Sequence, residues 1–360
     1  MRPCGFDPRS GYHSHLTFTQ MIDLRSDTVT KPTSDMLEYM FRAAVGDDVF
    51  QEDPSVNELQ RYAADLFGVE RALFCPSGTM TNQIAIKAQT QPGDEVICDE
   101  GSHVYYYEGG GIGFNAGAST RTLKGERGIF TAEQLKEVLR PSNVHYPKTS
   151  LVVIENTCNR GGGKVFDLSE IERVRKVCNE NGLRLHLDGA RLFNALIAEG
   201  RSPKDFGRTF DSISICLSKG LGAPMGSLLL GDHTLIDKAL RIRKVLGGGM
   251  RQAGYMAAAG LYALQHHVER LSQDHALAKQ IGEHLSSLDY VKQVLPVETN
   301  IVVFELAGSV STGHFLKHLE THGIRAFEVG SQRVRFVTHL DIPTGAFATI
   351  GNCLSCYSSS

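Results

Sequence analysis

The segment SISICLSKGLGAPMGSLLLG, residues 212–231, contains two short apolar runs separated by a loop of small residues. Runs that are apolar along their whole length are typical of strands buried on both faces of a parallel sheet. Lys219 follows the first run closely, and three glycines and a proline come within the next seven residues. A long cation at the end of a buried strand, among residues too small to cover it, is placed to reach a bound ligand.

Outward from this segment, apolar runs and amphipathic stretches alternate along the chain. Strands are predicted at 72–75, 95–99, 150–156, 183–188, 212–216 and 226–231. Helices are predicted at 54–68, where Gly68 ends the periodic pattern, and at 168–182, which closes with Asn-Gly. Strands separated by helices predict an α/β fold, with a mostly parallel sheet and helices on both of its faces.

The pattern changes after residue 265. Polar helices there precede predicted strands at 299–306 and 333–339, which indicates a smaller C-terminal α+β domain. We therefore predict three parts: a flexible N-terminal extension over 1–21, an arm and large domain over 22–265, and a small domain over 266–360.

The composition is typical of a globular protein and excludes several other classes. The 360 residues are 41% hydrophobic and 21% charged, and the net charge of −3 gives no general attraction to nucleic acid or an anionic membrane. No apolar run is long enough for a spanning helix. Residues 1–20 lack the apolar core of a secretory signal, so a cytoplasmic protein is expected.

The eight cysteines are predicted to be free thiols, because most of them lie in apolar segments. Cys353 and Cys356 form a single C-x-x-C pair near the end of the chain. A zinc site usually needs a second such pair or added histidines, so no metal is predicted.

A first candidate motif lies after a predicted strand, and ligands of open α/β sheets bind at the carboxyl ends of strands. In CPSGTMTN, residues 75–82, the strand leads into a helix, and small residues there let backbone amides approach an anion. Gly78 and Thr79 are the best candidates for binding a phosphate. The alternative is an ordinary capped helix start.

A second motif is HLDGARL, residues 186–192, in which Asp188 ends an otherwise apolar strand. One interpretation is a local ion pair with Arg191. The other is that Asp188 holds a protonated ring nitrogen, while Arg191 binds a carboxylate in a bidentate fork. A lysine such as Lys219, an acid and a phosphate-binding turn are three parts of a pyridoxal phosphate site.

Four segments closely resemble the low-specificity L-threonine aldolase family: IDLRSDTVTKPT (22–33), ENTCN (155–159), HLDGARLFNA (186–195) and ICLSKGLGAPMGSLL (215–229). The resemblance spans roughly residues 22–342. It implies a pyridoxal phosphate enzyme of fold type I with a mostly parallel, seven-stranded type of sheet. It also implies an aldehyde-lyase reaction, the retro-aldol cleavage of L-threonine or L-allo-threonine to glycine and acetaldehyde.

The resemblance implies roles at the cofactor for eight residues. Lys219 looks like the lysine that bonds the cofactor aldehyde, Asp188 like the acid on the ring nitrogen, and His103 like a histidine stacked on the ring. The others expected there are Gly78, Thr79, Arg191, Ser218 and Arg251. Arg251 resembles a residue that reaches the phosphate of a neighbouring subunit, which implies a homodimer or homotetramer with active sites at the interface.

The resemblance also implies a substrate pocket and a base. Four residues are expected to bind the small amino-acid substrate: Ser26, Tyr107, Arg191 and Arg335. Of Arg333 and Arg335 on one predicted strand, only one is expected to face the site. His103 or His145 is expected to remove the β-hydroxyl proton, since a neutral imidazole suits this step near neutral pH.

Two features depart from the family pattern. Cys158 stands where the family commonly has histidine, which would alter rate or substrate preference if that histidine assists proton transfer. The C-terminal stretch 343–360 has no charged residue where a charged helix is expected, which leaves the packing of the small domain open.

Other functions stay open at this level. The same scaffold would serve an aldolase for a bulkier β-hydroxy-amino acid such as phenylserine, or a β-eliminating lyase. GIGFNA, residues 111–116, matches the G-x-G-x-x-A pattern of a nicotinamide dehydrogenase, but it follows YYYEGG rather than a strand. A cofactor-binding protein without catalysis is less consistent with the presence of Lys219, His103 and Asp188.

Overall fold

The computed structural model describes residues 21–358; the predicted extension over 1–21 lies outside the described residues except for Met21. The described residues form these strands: β1 (Ile22–Asp23), β2 (Arg71–Cys75), β3 (Glu95–Asp99), β4 (Ser119–Leu123), β5 (Thr149–Glu155), β6 (Arg184–Gly189), β7 (Ser212–Cys216), β8 (Ser227–Gly231), β9 (Val291–Val294), β10 (Ile301–Leu306), β11 (Ile324–Arg325), β12 (Phe327–Gly330) and β13 (Arg333–Val337).

The described helices lie between these strands, and one follows the last of them. They are α1 (Ser34–Phe41), α2 (Pro54–Phe67), α3 (Gly78–Gln89), α4 (His103–Tyr106), α5 (Ala132–Val138), α6 (Leu168–Glu180), α7 (Leu192–Glu199), α8 (Pro203–Thr209), α9 (His233–Val245), α10 (Gly254–His266), α11 (Leu271–Leu285), α12 (Thr312–Thr321) and α13 (Ala346–Ser355). No described helix combines the length and apolar character needed to cross a membrane.

The central sheet has seven strands in the order β2-β8-β7-β6-β5-β3-β4. β8 runs antiparallel to both of its neighbours, and the remaining pairs are parallel. The predicted mostly parallel sheet is therefore confirmed. The register places Glu155 beside Asp188, and Asp188 beside Ser214, so the carboxyl ends of β5, β6 and β7 lie at one edge.

Both faces of this sheet are covered, as its apolar strands predict. On β5, Val152 and Ile154 pack into one apolar cluster, whereas Leu151 and Val153 pack into another on the opposite face. α2 shows why the helices form where they do: Asp53 caps it by accepting from two backbone amides, Pro54 begins it, and Gly68 ends it with a φ of 66°.

The C-terminal part forms a four-stranded antiparallel sheet in the order β12-β13-β10-β9. Its apolar cluster joins Phe304 and Phe336 of the sheet to Phe315 of α12 and Leu354 of α13. The uncharged stretch thus contains a helix that buries Ala346, Ile350, Cys353 and Leu354, which is how the small domain packs without the charged helix expected there.

The N-terminal strand β1 pairs in parallel with β11, and Ile22 and Leu24 belong to the C-terminal apolar cluster. The sequence analysis grouped the N-terminal arm with the large domain, but the start of this arm packs against the small domain. The segment after β1 continues toward the edge of the central sheet, where its backbone and side chains reach the loop after β7.

Candidate active site

The carboxyl ends of the central strands surround a cavity of about 330 Å³. Six residues predicted from the sequence line it together: Gly78, Thr79, His103, Asp188, Ser218 and Lys219. A larger cavity of about 460 Å³ lies nearby and is lined by Glu155 and Cys158, but it includes neither Lys219 nor Asp188. We take the smaller cavity as the candidate active site, because the groups capable of chemistry converge on it.

The N-terminus of α3 forms one wall of this cavity. Ser77 caps the helix, its side chain accepting a hydrogen bond from the backbone N–H of Met80 at 3.2 Å. A Cβ on Gly78 would lie 2.4 Å from Cys216 Sγ, so only glycine lets the helix start this close to the end of β7. The exposed first turn offers backbone N–H groups and a positive dipole end to an anion.

Asp188 is the penultimate residue of β6 and is 2% exposed. Its Oδ1 accepts from the backbone N–H of Ala190 at 3.2 Å, whereas its Oδ2 is buried and has no hydrogen-bond partner among the described residues. A buried carboxylate oxygen without a donor is costly, so a ligand that brings an N–H here is favoured. Asp188 does not pair with Arg191, so the local ion pair considered from the sequence is not formed.

Lys219 lies in the loop after β7 and is half-buried. Its carbonyl accepts from Thr30 Oγ1 and from the backbone N–H of Gly222, both at 2.8 Å. The bond from Thr30 fixes the loop to the N-terminal segment, and the bond from Gly222 closes a turn within the loop. The side chain of Lys219 lines the cavity together with Asp188.

His103 begins α4, and its ring Nδ1 donates to Glu108 Oε1 at 2.9 Å. Burial lowers the pKa of His103, but the hydrogen bond to Glu108 and the charges of Asp188 and Glu108 raise it to a net value above the usual one. The Glu108 side chain is completely buried. It also accepts from Asn82 Nδ2 at 2.9 Å and from Gln83 Nε2 at 2.6 Å.

A second histidine, His186, continues this network into the sheet. Because Asn82 Nδ2 donates to Glu108, Asn82 Oδ1 accepts from His186 Nε2 at 3.1 Å, and His186 Nδ1 accepts from Ser212 Oγ at 2.7 Å. Burial lowers the pKa of His186 to about 4, so the ring is neutral at pH 7 and fits one donor and one acceptor. Sequence reasoning identified neither Glu108 nor His186 as part of the site.

The guanidinium of Arg191 binds a carboxylate of the same chain through two hydrogen bonds. Its Nε donates to Asp27 Oδ2 at 2.8 Å and its NH2 to Asp27 Oδ1 at 2.6 Å, with both side chains buried. Burial of Asp27 raises its pKa, but the charge and hydrogen bonds of Arg191 outweigh this and lower the pKa to about 2. Asp27 is a third residue that the sequence did not reveal.

Arg335 approaches the same region from β13. Its NH1 donates to Asn159 Oδ1 at 3.0 Å and its NH2 to the carbonyl of Arg25 at 3.2 Å, while its buried Nε has no partner among the described residues. Burial, together with the nearby charge of Arg191, lowers the pKa of Arg335. Arg333 and Arg335 lie on the same face of β13. They differ in position along the strand: Arg333 is exposed and faces Glu305, whereas Arg335 is partly buried beside Val303.

Ser26 and Tyr107 lie at the border of this region. Ser26 Oγ accepts from the backbone N–H of Thr28 at 3.2 Å and from Thr28 Oγ1 at 2.9 Å. The exposed Tyr107 has its ring centroid 5.6 Å from that of His103, and its hydroxyl accepts from Arg160 NH1 at 3.1 Å.

Two predicted residues do not join the cluster within one chain. His145 is exposed in the loop before β5, and the seven residues of β5 separate that loop from the active-site edge by about 23 Å. Arg251 is exposed as well; its NH1 donates to Asp47 at 2.8 Å and its guanidinium lies over the ring of Phe50.

Cys158 lines the larger cavity, where its thiol donates to the carbonyl of Glu155 at 3.1 Å. Burial raises the pKa of this thiol well above its usual range, so it stays protonated and cannot replace a histidine as a base. Burial and the charge of Asp188 also raise the pKa of Glu155 to about 7, against the backbone donors of Asn159 and His103.

GIGFNA does not form the turn of a dinucleotide-binding fold. Residues Ile112–Ala116 form a short π-helix that follows the glycines after α4. A phosphate-binding fingerprint needs a strand before it and a helix start after it, so the dehydrogenase alternative loses its structural context.

Comparisons with known proteins agree with this geometry. The family model of the beta-eliminating lyases matches residues 23–309. The chain is 41% identical over 343 residues to low-specificity L-threonine aldolase 1 of Arabidopsis thaliana, covering 93% of this chain and 95% of the plant protein. It is 40% identical over 333 residues to the low specificity L-threonine aldolase of Escherichia coli, covering 92% and 97%.

A solved threonine aldolase from Leishmania major has the same fold, with a TM-score of 0.81, 20% sequence identity, and coverage of 93% of this chain and 98% of that one. The sheet order, the small antiparallel domain and the clustered strand ends thus define an enzyme of fold type I. The chain belongs to the beta-eliminating lyase family and, within it, to the low-specificity L-threonine aldolases.

Proposed function

We propose that the protein is a pyridoxal phosphate-dependent aldehyde-lyase that cleaves L-threonine and L-allo-threonine to glycine and acetaldehyde. The observation that carries the proposal is the buried Oδ2 of Asp188, which has no hydrogen-bond partner within residues 21–358 and belongs to a cavity shared with Lys219 and the N-terminus of α3. An acid for a ring nitrogen, an amine for an aldehyde and backbone donors for a phosphate are the three groups that this cofactor requires. The residues present therefore fit it.

Lys219, Asp188, Gly78 and Thr79 would hold the cofactor, with Ser218 at the same cavity. When bound, pyridoxal phosphate supplies an electron sink for the carbanion left at Cα after carbon–carbon cleavage. Arg335 offers the substrate carboxylate a buried guanidinium with an unused Nε–H. Arg191 is held by Asp27, so its role is to position Arg335 through their shared contact, Asn159.

His103 is the base that the geometry favours over His145. Its Nδ1–H is donated to Glu108, which leaves Nε2 free to accept the β-hydroxyl proton of the substrate. The carboxylate of Glu108 then stabilises the imidazolium that forms. A base that can serve either hydroxyl configuration accounts for acceptance of both L-threonine and L-allo-threonine.

The relatives' names support the substrate class, and product analysis tests it. Purified protein with pyridoxal phosphate should convert L-threonine to equal amounts of glycine and acetaldehyde. β-Elimination would instead yield 2-oxobutanoate and ammonia. Benzaldehyde release from L-phenylserine with a much higher kcat/KM than for L-threonine would move the assignment to an aldolase for bulkier substrates.

We also infer that the active sites lie at the interface of a homodimer or homotetramer. Arg251 lies on the surface of its own chain, away from the cavity, beside the exposed Phe50 and Met250. An exposed arginine within an apolar surface is suited to reach a phosphate bound to a second copy.

A further inference from the structure

A cluster of metal-binding side chains lies in the small domain, apart from the active site. His318 and His322 are one helical turn apart at the end of α12, and Cys356 follows α13. Cys356 Sγ lies 3.9 Å from His318 Nε2 and 3.8 Å from His322 Nε2. Neither the proposed cofactor nor the proposed substrate uses any of these residues.

The two sulfur–nitrogen separations are close to those of a tetrahedral metal centre, and all three ligand atoms lie within 4.8 Å of one another. Zinc binds thiolate sulfur at about 2.3 Å and imidazole nitrogen at about 2.0–2.1 Å, so tetrahedral geometry sets sulfur and nitrogen about 3.6 Å apart. The two distances from Cys356 Sγ exceed this value by only a few tenths of an ångström, which small side-chain rotations can remove.

The backbone that carries these ligands is held in place by buried apolar side chains of α12 and α13. Phe315 and Leu319 of α12 and Ile350 and Leu354 of α13 are all buried in the same apolar cluster. The two helices therefore cannot separate without exposing apolar surface, and the three side chains meet at a junction whose position is fixed.

The hydrogen bonds around the cluster prepare His322 for ligation, whereas His318 and Cys356 must exchange theirs for the metal. His322 Nδ1 donates to the carbonyl of His318 at 2.8 Å, which leaves Nε2 as the free nitrogen and orients the ring. His318 Nε2 and the Cys356 thiol both donate to the carbonyl of Cys353, at 2.9 and 3.3 Å. Metal binding would release the thiol proton to solvent and move the His318 ring proton to Nδ1.

We propose that His318, His322 and Cys356 form a Zn²⁺ site that fastens the C-terminal helix α13 to α12. Two neutral imidazoles and one thiolate make a set that suits zinc better than the oxygen-preferring cations. A fourth position faces solvent, because His322 and Cys356 are exposed. The sequence showed only one C-x-x-C pair; the fold supplies the histidines, while Cys353 is buried in the apolar cluster and takes no part.

The test uses tag-free, full-length protein loaded with pyridoxal phosphate and stripped of metal by a chelator. Titration with Zn²⁺ should show one equivalent bound, and Co²⁺ should give thiolate-to-cobalt absorption together with ligand-field bands at longer wavelength than the cofactor. Cys356→Ser should lose the thiolate band, and His322→Ala should weaken Zn²⁺ binding about 100-fold or more. The matched control is His233→Ala, which removes an exposed histidine on α9. This variant should bind Zn²⁺ as tightly as the parent does.

Thermal unfolding provides a second readout, because a metal that binds the folded state raises its Tm. Zn²⁺ should raise the Tm of the parent and of His233→Ala, but not that of Cys356→Ser. The group His103, Glu108 and Asp188 is a second possible set of ligands in the described chain. Zn²⁺ binding that persists in Cys356→Ser and His322→Ala, or no stoichiometric binding by the parent, would overturn the proposal.

Discussion

Glu108 controls the charge state of the residue proposed as the base. Its carboxylate is completely buried and is satisfied by His103, Asn82 and Gln83. It lies five residues after His103, beyond the short helix α4, so one tight turn of chain brings the acid under the imidazole. In this setting the carboxylate fixes which ring nitrogen carries a proton.

The first prediction concerns the pH profile of Glu108→Gln. His103 must be neutral to accept a proton, so its raised pKa places the acid limb of kcat/KM above that of an ordinary imidazole. Removal of the Glu108 charge lowers this pKa, and the limb should move to lower pH. Glu100→Gln, an exposed acid close in sequence, should leave the limb in place. An unchanged limb in Glu108→Gln would argue against His103 as the base.

The second prediction concerns Gly78→Ala. The new methyl group would lie 2.4 Å from Cys216 Sγ, so the start of α3 must move away from β7. Overpacking of this kind costs about 1–3 kcal/mol in unfolding free energy, measured by urea denaturation. Adding Cys216→Ala should restore part of the loss, since the next atom, Ser227 Oγ, is 3.5 Å away. Equal stability of the single and double variants would show that the contact does not matter.

Among individual residues, the sequence revealed those whose charge contrasts with apolar neighbours. Lys219 and Asp188 are charged groups at the ends of apolar strands, which makes them conspicuous. Apart from His103, the partners of Glu108 lie 25 and 26 residues away, and Arg191, the charged partner of Asp27, lies 164 residues away, so little local pattern indicated either acid. For His103 and Glu108, the only available signal in the sequence was a histidine followed five residues later by a glutamate.

Among the elements, the buried ion pair of Asp27 and Arg191 joins the segment after β1 to the end of β6. Asp27→Asn would leave the buried guanidinium without its charged partner, which typically costs about 3–5 kcal/mol. Asp23→Asn removes a half-exposed pair with Arg25 and should cost about 0–1 kcal/mol. Urea unfolding of both variants checks this third prediction, and similar losses in the two would contradict it.

The same pair sets a dependence of stability on pH. Asp27 has a folded pKa of about 2 against an ordinary value of 3.8, so its contribution is present above the ordinary value and lost as pH falls toward 2. The stability difference between the parent and Asp27→Asn should therefore shrink over this acid range. If the stability difference does not change with pH, the effect of Asp27→Asn does not come from loss of the ion pair between Asp27 and Arg191.

Elements with strong periodicity could be predicted closely. The helices expected at 54–68 and 168–182 are Pro54–Phe67 and Leu168–Glu180 in the structure. The pairing of β1 with β11 was not predictable, because two-residue strands carry no periodic signal and lie about 300 residues apart. The antiparallel direction of β8 likewise depends on the whole sheet rather than on its own apolar residues.

For the whole molecule, the fourth prediction concerns shared active sites. A Lys219→Ala chain and an Arg251→Ala chain would each have low activity as pure oligomers. In a hybrid, one site combines Lys219 of one chain with Arg251 of the other, and this site should regain activity. Hybrids isolated with two different tags, compared with both parents, provide the measurement. Activity no higher than the parental mean would place Arg251 outside the shared site.

The most direct test of the central claim is to trap the cofactor on the protein. Borohydride reduction of the protein with bound pyridoxal phosphate fixes the cofactor covalently to the amine that it bonds, and peptide mass spectrometry locates that amine. We expect one modified residue, Lys219, and no modification in Lys219→Ala. Labelling of another lysine, or no labelling of a protein that nonetheless cleaves L-threonine, would contradict the assignment of this cavity as the active site.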